Sequence, residues 1–206
     1  MKTIFIIALL FVSICCKAQT TLSLYDGERD IQGAYYKDLY NDLNNFVGTW
    51  KYTNGTTSLT ITLQKKEMQN HSYSYNNITY YEDILIGGYR YIENGVEKIN
   101  TLPQLELNLT KSYQYHIAGN IILPPATDNC YGCLPNMRMI HLAFSDPTRE
   151  VSGMESKMVF ARADSDGVQK LLLKFVVTSG GYNNINNPRP HNSYTVPFGE
   201  YLLVKQ

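Results

Sequence analysis

The chain has 206 residues, with 18 basic and 18 acidic side chains and 17 tyrosines. Hydrophobic residues make up 44% of it, which is enough for a buried core and excludes a globally disordered chain. The length fits one domain or at most two small ones, and the net charge of zero does not indicate a nucleic-acid partner.

The first 18 residues are typical of a secretory signal peptide. Lys2 supplies the positive charge, residues 4–14 form an apolar run, and Cys16-Lys17-Ala18 places small residues before a cleavage site at Gln19. The apolar run is too short for a membrane span, which takes about 20 residues. We therefore expect an exported protein, periplasmic or secreted, with no transmembrane segment.

Cys15 and Cys16 leave one alternative open, a lipoprotein anchored through either residue. The bacterial lipobox has a small residue where Ile14 precedes Cys15, and Ser13 is off pattern for Cys16. Cleavage after Ala18 would instead leave 188 of the 206 residues, with 16 of the 18 basic groups and all 18 acidic ones. That mildly acidic mature chain does not indicate an anionic partner.

Residues 19–45 are predicted to form an N-terminal extension with one short helix. Within residues 35–45, the positions at helical spacing are Tyr36, Leu39, Tyr40 and Leu43. The residues that would end this helix are Asn44, Asn45 and Gly48.

Residues 46–206 are predicted to form a single antiparallel β domain. About ten runs have strand character, and in the second of them Leu59, Ile61 and Leu63 alternate with polar residues. The runs span residues 47–52, 58–64, 80–92, 96–99, 105–109, 113–123, 137–144, 157–163, 170–178 and 194–204. Short strands without alternating helices are typical of an antiparallel barrel or sandwich, and they disfavour a dinucleotide-binding or P-loop fold.

Three dipeptides are predicted to be hairpin turns, namely Asn54-Gly55, Asn94-Gly95 and Asp166-Gly167. Asp164 precedes the last of them, but the segment lacks the glycine and glutamate that a calcium loop requires, so a plain turn is favoured. Gly87-Gly88 lies inside a long strand and indicates a bulge or a sharp bend.

The opening of the β domain resembles that of the lipocalin-like barrels. A short helix leads into Gly48-Thr49-Trp50 at the first strand, and successive hairpins follow. The resemblance implies a barrel rather than a sandwich, with Trp50 closing one end. It also implies that an arginine on a late strand packs against this tryptophan, and Arg162 is the candidate.

The whole chain also resembles an uncharacterised family, a domain of unknown function, of small bacterial secreted proteins. The segments that carry this resemblance are Ala18-Gln19 and residues 46–52 and 196–201. No activity comes with that family, so this resemblance concerns fold and location alone.

Cys130 and Cys133 are predicted to form a local disulfide. Cysteines that remain in an exported chain usually pair, and Gly132 permits the tight turn that so short a bridge requires. The alternatives are a redox-active pair, which requires a following helix that the nearby prolines disfavour, and a zinc site, which requires two more ligands.

The tyrosines are candidate ligand contacts. Three pairs two residues apart would each share one face of a strand, and they are Tyr73 with Tyr75, Tyr89 with Tyr91, and Tyr113 with Tyr115. If these strands are neighbours, six rings line one surface, which is either cross-strand packing against solvent or a platform or barrel mouth for a ligand. The predicted ligand-binding residues are therefore Trp50, Tyr89, Tyr91, Tyr113 and Tyr115.

No catalytic residue, metal site or cofactor is predicted. The four histidines are scattered, and the motifs of metalloproteases and serine hydrolases are absent from the sequence. The favoured function is a non-catalytic binding protein that holds a small apolar or amphipathic ligand in the barrel. The alternatives are a surface module that binds a glycan or a protein through the tyrosine-rich face, and a hydrolase assembled from dispersed residues.

Overall fold

The computed structural model describes residues 18–25, 27–73, 77–123, 138–149, 151, 153–180 and 191–206. The strands in this part of the chain are β1 (Thr21–Ser23), β2 (Tyr35–Lys37), β3 (Gly48–Asn54), β4 (Thr57–Tyr73), β5 (Ile78–Glu93), β6 (Val96–Asn100), β7 (Ile117–Leu123), β8 (Met139–Phe144), β9 (Glu155–Arg162), β10 (Lys170–Ser179) and β11 (Gly199–Lys205). Short 3₁₀ helices span Leu43–Asn45, Leu102–Leu107 and Ser112–Gln114. Among these residues, no helix is long and apolar enough to cross a membrane.

The strands from β3 onward close into an antiparallel barrel. Leaving out β6, which pairs only with β5, each strand pairs with the next one along the chain. β11 then returns to β3 by pairing Val204 with Lys51 and Lys205 with Trp50. The structure therefore confirms the predicted all-β, lipocalin-like barrel over the sandwich.

One edge of β5 pairs with β4, and its other edge pairs with three shorter strands. β2 pairs with its residues 81–82, β7 with residues 85–87, and β6 with residues 90–93. β1 pairs in parallel with β2, so the N-terminal extension continues the sheet beyond the barrel.

The helix predicted over residues 35–45 is wrong for its first half. Tyr35–Lys37 is a strand, and only Leu43–Asn45 is helical. Strand pairing buries the Tyr36 ring, which meets the Tyr80 ring edge-on at 5.6 Å, so the tertiary contact overrides the local spacing. Leu39 and Tyr40, which the helix would have buried with Tyr36, remain exposed.

Two buried carboxylates fix this extension to the barrel. Asp83 on β5 accepts the Asp38 N–H at 3.0 Å, and Asp38 accepts the N–H groups of Asp42 and Leu43 at 2.9 and 3.0 Å, which begins the 3₁₀ helix. Lys65 Nζ on β4 lies 3.2 Å from Asp38 Oδ2 and 3.7 Å from Asp83 Oδ2. One ammonium group is thus shared by two carboxylates whose side chains have no exposed surface.

The strand predicted over residues 105–109 is wrong, because a 3₁₀ helix spans Leu102–Leu107. Pro103 lies in its first turn and has no N–H to give to a sheet. Leu105 is buried against the outer face of β5, where it contacts the cluster of Ile84 and Ile86, and one turn of helix is enough to place it there.

Gly87 and Gly88 mark a place where segments of the chain approach one another closely, rather than a bulge. β5 stays in register with β4 at both glycines. A Cβ on Gly88 would lie 2.9 Å from the Thr101 carbonyl oxygen, so the absent side chain lets the segment after β6 cross here. The bulge in this strand pair lies elsewhere, in β4 between Lys66 and Gln69.

Two of the predicted hairpin turns are confirmed, and the third is shifted by one residue. Asn94-Gly95 and Asp166-Gly167 have positive φ at both residues, as a tight two-residue turn requires. The turn after β3 is formed by Gly55 and Thr56, because Asn54 still pairs with Thr57.

The barrel interior in the described part of the chain is filled by inward-facing side chains. Leu59, Ile61 and Leu63 are fully buried, as the alternation in β4 predicts. They belong to one contiguous apolar cluster that draws residues from all eight barrel strands. The largest fully buried members on the barrel strands are Trp50, Tyr89, Phe160 and Phe175.

The barrel end opposite Trp50 is covered by residues 191–198, the plug segment. This segment leads into the start of β11, whereas the end of β11 pairs with Trp50. The rings of Tyr194 and Phe198 lie 6.2 and 4.6 Å from the ring of Phe175, and Val196 is fully buried. The strand predicted over residues 194–204 therefore begins only at Gly199.

Asp146 holds the plug segment in place. Its carboxylate accepts the Thr195 N–H at 2.6 Å and the hydroxyl and N–H of Thr148 at 2.7 and 2.9 Å. Burial raises the pKa of Asp146, but these hydrogen bonds outweigh burial and hold that pKa below its ordinary value. The Tyr194 hydroxyl adds a bond to the Met154 carbonyl at 3.2 Å.

Candidate functional site

A polar cavity of about 520 Å³ lies at the Trp50 end of the barrel. It forms where the 3₁₀ turn before β3 meets the ends of β9 and β11 and the hairpin that joins β9 to β10. The lining residues are Asp42, Asn44, Asn45, Phe46, Arg138, Arg162, Asp164, Gln169 and Lys205. Three cations and two carboxylates therefore surround one space.

The Trp50 ring supports two of these cations. It is fully buried, and its Nε1–H donates to the Phe46 carbonyl at 2.8 Å. The Arg162 guanidinium carbon and Lys205 Nζ lie 5.4 and 5.3 Å from the ring centroid, within cation–π distance. The contact implied for Arg162 by the lipocalin resemblance is thus confirmed, and Lys205 is a second cation that it did not imply.

Gly48 makes room for Lys205. The residue has a φ of +128°, and a Cβ built on it would lie 3.1 Å from Lys205 Cε. A side chain at position 48 would both strain the backbone and push the lysine stem away from the tryptophan. The glycine of Gly48-Thr49-Trp50 therefore has a local role in shaping the cavity.

Arg162 is held by groups on both sides of the cavity. It forms an ion pair with Asp164, and its Nη1 donates to the Asn45 carbonyl at 2.9 Å. Asp164 also accepts the Lys170 N–H at 2.8 Å. Slight burial raises the pKa of Asp164. A larger effect in the opposite direction comes from the hydrogen bonds of Arg162 and Lys170 and from the charges of Arg162 and Lys205. The net result is a lowered pKa, so the Asp164 carboxylate stays ionised at neutral pH.

Arg138 and Asp42 form the opposite wall. Arg138 Nη1 lies 2.9 Å from Asp42 Oδ2, and the same carboxylate accepts the Tyr25 hydroxyl. Burial, followed by the neighbouring Asp42, raises the pKa of Tyr25. The Arg138 guanidinium carbon also lies 4.9 Å from the Tyr25 ring centroid and 5.5 Å from that of Tyr40.

Tyr40 forms an aromatic rim beside the cavity. Its ring meets the Tyr25 ring edge-on at 5.5 Å, yet 65% of the residue is exposed. A tyrosine ring held in place by neighbours but open to solvent offers an apolar face at little entropic cost. The rim therefore adds a surface for stacking to a cavity that is otherwise polar.

One positive charge in the cavity has no carboxylate partner among the described residues. Asp42 is paired with Arg138, and Asp164 is paired with Arg162. Within the described part of the chain, the Lys205 ammonium forms neither an ion pair nor a hydrogen bond. The lining residues that the structure describes therefore carry a net charge of +1 at neutral pH, with the unpaired ammonium held over Trp50.

A model of a protein family matches residues 1–206, and its description reads "Family of unknown function (DUF6705)". The chain belongs to the DUF6705 family. The expectation of an uncharacterised family is thereby confirmed. No curated protein and no solved structure matches the chain.

In this DUF6705 protein the two tyrosine pairs that lie within the described residues do not form a common face. Tyr89 and Tyr91 share a face, as predicted, but they point into the barrel core and are buried. Tyr115 is buried in the separate cluster with Leu105, because the strand expected from residue 113 begins only at Ile117. Tyr113 lies on a 3₁₀ turn and is 79% exposed.

Tyr113 lines a second cavity, of about 180 Å³, together with His71 and Lys111. None of the predicted ligand-binding residues therefore lines the larger cavity, and Trp50 is buried behind it, under Arg162 and Lys205. Tyr75 lies outside the described residues, as does the side chain of Tyr73.

The predicted disulfide between Cys130 and Cys133 lies outside the described residues, as do Cys15 and Cys16. Within the residues that the structure describes, no group of three or more His, Cys, Asp or Glu side chains could hold a metal ion. The larger cavity offers guanidinium, ammonium and amide groups, which suit hydrogen bonding to a polar ligand.

Sequence reasoning anticipated Arg162 and Trp50 but missed most of this DUF6705 cavity. Arg138 lies in the predicted strand of residues 137–144, and Lys205 follows the last predicted strand. Asp42 lies in a segment assigned to a helix. No local motif marks these residues, because they come together only when β11 closes on β3.

Proposed function

We propose that this protein is an exported, non-catalytic binding protein whose ligand occupies the polar cavity at the Trp50 end. The observation that carries the proposal is a cavity of about 520 Å³ with charged walls, amide groups and an exposed aromatic rim. Small-ligand sites combine such a volume with a few fixed polar groups and an aromatic surface. Export rests on the signal-peptide character of the first 18 residues.

The ligand class that these groups favour is a small glycan. Asn44 and Gln169 each offer a donor and an acceptor, and Arg138 offers further N–H donors, so together they match a ligand rich in hydroxyl groups. The Tyr40 ring offers a face on which a sugar ring can stack. The surface module, which was the alternative from the sequence, thus becomes the proposal in place of the favoured apolar ligand, with Tyr40 instead of the predicted tyrosine face.

An apolar or amphipathic ligand inside the barrel is the second candidate, favoured by the barrel fold itself. It would need space that the described side chains occupy, because Tyr89, Phe160 and Phe175 are all buried in one cluster. The plug segment would also have to withdraw, breaking the bonds from Asp146 to Thr195. A ligand at the Trp50 end requires neither change.

A hydrolase is supported by a single contact. His116 Nδ1 lies 3.0 Å from Ser145 Oγ. In a catalytic triad an acid orients the histidine, whereas the carboxylate of the adjacent Asp146 accepts from Thr148 and Thr195 instead. We therefore propose no catalytic role for this pair, and a Ser145→Ala variant that abolished turnover of an ester substrate would contradict us.

The proposal is tested with the fluorescence of Trp50, which is the chain's only tryptophan and contacts the cavity residues Phe46, Arg162 and Lys205. The purified protein is titrated with glucose, galactose, N-acetylglucosamine and short oligomers of each. We expect a saturable change in Trp50 emission with at least one of them. Tyr40→Ala should weaken that binding by roughly three- to tenfold, the value of one aromatic stacking contact.

The matched control is Tyr113→Ala, which removes another exposed tyrosine ring, at the smaller cavity. It should leave the affinity unchanged. The proposal fails if no sugar changes Trp50 emission, or if Tyr113→Ala weakens binding as much as Tyr40→Ala does. Uptake of an apolar fluorescent probe that increases when the plug segment is loosened would favour the barrel interior instead.

A further inference from the structure

We propose that the ligand of the cavity at the Trp50 end carries an acidic group, and that Lys205 is the residue that binds this group. This inference rests on the proposed function and names the ligand class more narrowly, as an acidic saccharide such as a uronic acid. The chain as a whole has no net charge, so the argument concerns the local arrangement only.

The first step is the balance of charge around the cavity. Both carboxylates in its wall are already engaged, Asp42 by Arg138 and Asp164 by Arg162. Asp164 also accepts the Lys170 N–H, which leaves it little capacity for a further donor. A positively charged ligand would therefore have to compete with the two arginines for these carboxylates, whereas an anion finds an ammonium, that of Lys205, which is unpaired within the described part of the chain.

The second step is the way in which Lys205 is held. Its stem passes over Gly48 at a point where a Cβ would lie 3.1 Å from Cε, and its Nζ lies 5.3 Å from the Trp50 ring centroid. Backbone pairing of Lys205 with Trp50 fixes the start of this stem. A lysine placed in this way loses less conformational freedom on binding than a free surface lysine would.

The third step is the second cation over the same ring. Arg162 lies 5.4 Å from the Trp50 ring centroid and lines the same cavity. Its bonds to Asp164 and the Asn45 carbonyl hold it in position but leave its charge within the cavity wall. An acidic group that contacts Lys205 therefore enters a region where two cations and a buried aromatic ring meet.

The experiment compares matched pairs of sugars by calorimetry and by Trp50 fluorescence. The probes are glucuronate against glucose and galacturonate against galactose, with inorganic sulfate as the anion alone. We expect the acidic member of at least one pair to bind about tenfold more tightly, as a charge-assisted hydrogen bond allows. The preference should shrink as salt is added, because exposed charges are screened.

The decisive variant is Lys205→Met, which keeps the aliphatic stem over Trp50 and removes the charge. It should abolish the preference for the acidic sugar, so that each uronate and its neutral partner bind with about the same affinity. Lys98→Met is the matched control, since Lys98 lies in an exposed ion pair with Glu93 and lines neither described cavity. Sugar binding to both variants is measured by calorimetry rather than by fluorescence, because Lys205→Met changes the surroundings of Trp50 itself.

The outcomes separate this inference from the proposed function. If neutral and acidic sugars bind equally, or if Lys205→Met keeps the preference, the inference is overturned and the proposed function stands. If sulfate binds through Lys205 as tightly as any uronate and no neutral sugar binds, the anion site stands and the glycan proposal falls. If none of the probes binds, both are overturned.

Discussion

At the scale of single residues, Gly48 and Lys205 form a mutually dependent pair. The glycine leaves the space that the lysine stem occupies, and the lysine covers the tryptophan that closes this end of the barrel. The glycine therefore allows Lys205 to lie over the ring beside Arg162.

We predict that Gly48→Ala destabilises the protein by about 1–3 kcal/mol, because its φ of +128° is unfavourable for an L side chain and its Cβ meets Lys205. Urea unfolding followed by Trp50 fluorescence measures this. In the double variant Gly48→Ala, Lys205→Ala the clash with the lysine stem should be relieved. The losses in unfolding free energy of the two single variants should therefore not be additive. Gly55→Ala is the control, because its φ is also positive but nothing lies within 4 Å of its Cβ.

At the scale of elements, the N-terminal extension is fixed to the barrel by a buried ionic network rather than by a helix. Asp38 and Asp83 have fully buried side chains, and Lys65 is their shared cation. A buried ion pair contributes little net stability by itself, but removing one partner leaves an uncompensated charge. The network therefore specifies where the extension docks.

We predict that Lys65→Met costs about 3–5 kcal/mol of unfolding free energy, because two buried carboxylates would then face each other without a cation. Adding Asp38→Asn should restore part of the loss. Lys98→Met should cost less than about 1 kcal/mol, since both partners of its ion pair are more than 40% exposed. Equal losses in the two lysine variants, measured by urea unfolding, would contradict the prediction.

The plug segment should be sensitive to acid. The pKa of Asp146 is depressed in the folded state, so its contribution is complete above the ordinary value of 3.8 and is lost as the pH falls below it. We expect Asp146→Asn to remove this acid dependence and to cost about 1–3 kcal/mol at neutral pH. Hydrogen exchange of the Thr195 amide, which donates to Asp146, is the direct measurement.

His116 provides a separate acid-sensitive step at the same end of the barrel. Burial lowers its pKa from the ordinary value of 6.5, although Asp146 opposes the shift, so its contribution is lost as the pH falls through that region. The step should persist in Asp146→Asn and disappear in His116→Gln. If Asp146→Asn removed both steps, the two groups would titrate as one unit and the prediction would be wrong.

At the scale of the whole molecule, export, processing and the cysteines are tested together by one mass measurement. We predict that the exported protein begins at Gln19 and has no lipid. Its mass should be lower by two hydrogens than that of the reduced chain, because Cys130 and Cys133 are predicted to be paired. A thiol reagent should modify both cysteines only after reduction. A retained N-terminus, a lipid adduct or free thiols in the untreated protein would each contradict one part.

The barrel and its turns follow from local patterns. Alternation placed Leu59, Ile61 and Leu63 in the core, because a strand turns successive side chains to opposite faces. Asn94-Gly95 and Asp166-Gly167 formed turns where predicted, since both residues tolerate positive φ. The failures occurred where a distant contact outweighed the local pattern, as when pairing with β5 drew Tyr35–Lys37 into a strand.

The candidate site was hardly predictable, because no segment carries it. Burial of Trp50 and its contact with Arg162 followed from a resemblance in one short motif. The tyrosine spacing pointed elsewhere, since Tyr89 and Tyr91 face the barrel interior, whereas the exposed rim ring is Tyr40. An aromatic residue shows its spacing in the sequence, but the side of the barrel wall on which it lies depends on the neighbouring strands.

By itself, the sequence determined the all-β class, most of the barrel strands and two of the hairpin turns, because these depend on side-chain alternation and turn chemistry along neighbouring residues. The buried position of Trp50 was implied only by the resemblance to the lipocalin-like barrels. Only the tertiary structure decided that Asp42, Arg138, Arg162 and Lys205 surround one cavity. Closure of β11 on β3 brings Lys205 over Trp50, and the ionic network around Lys65 docks the segment that carries Asp42. Both depend on contacts between residues far apart in the chain, which leave no periodic trace in the sequence.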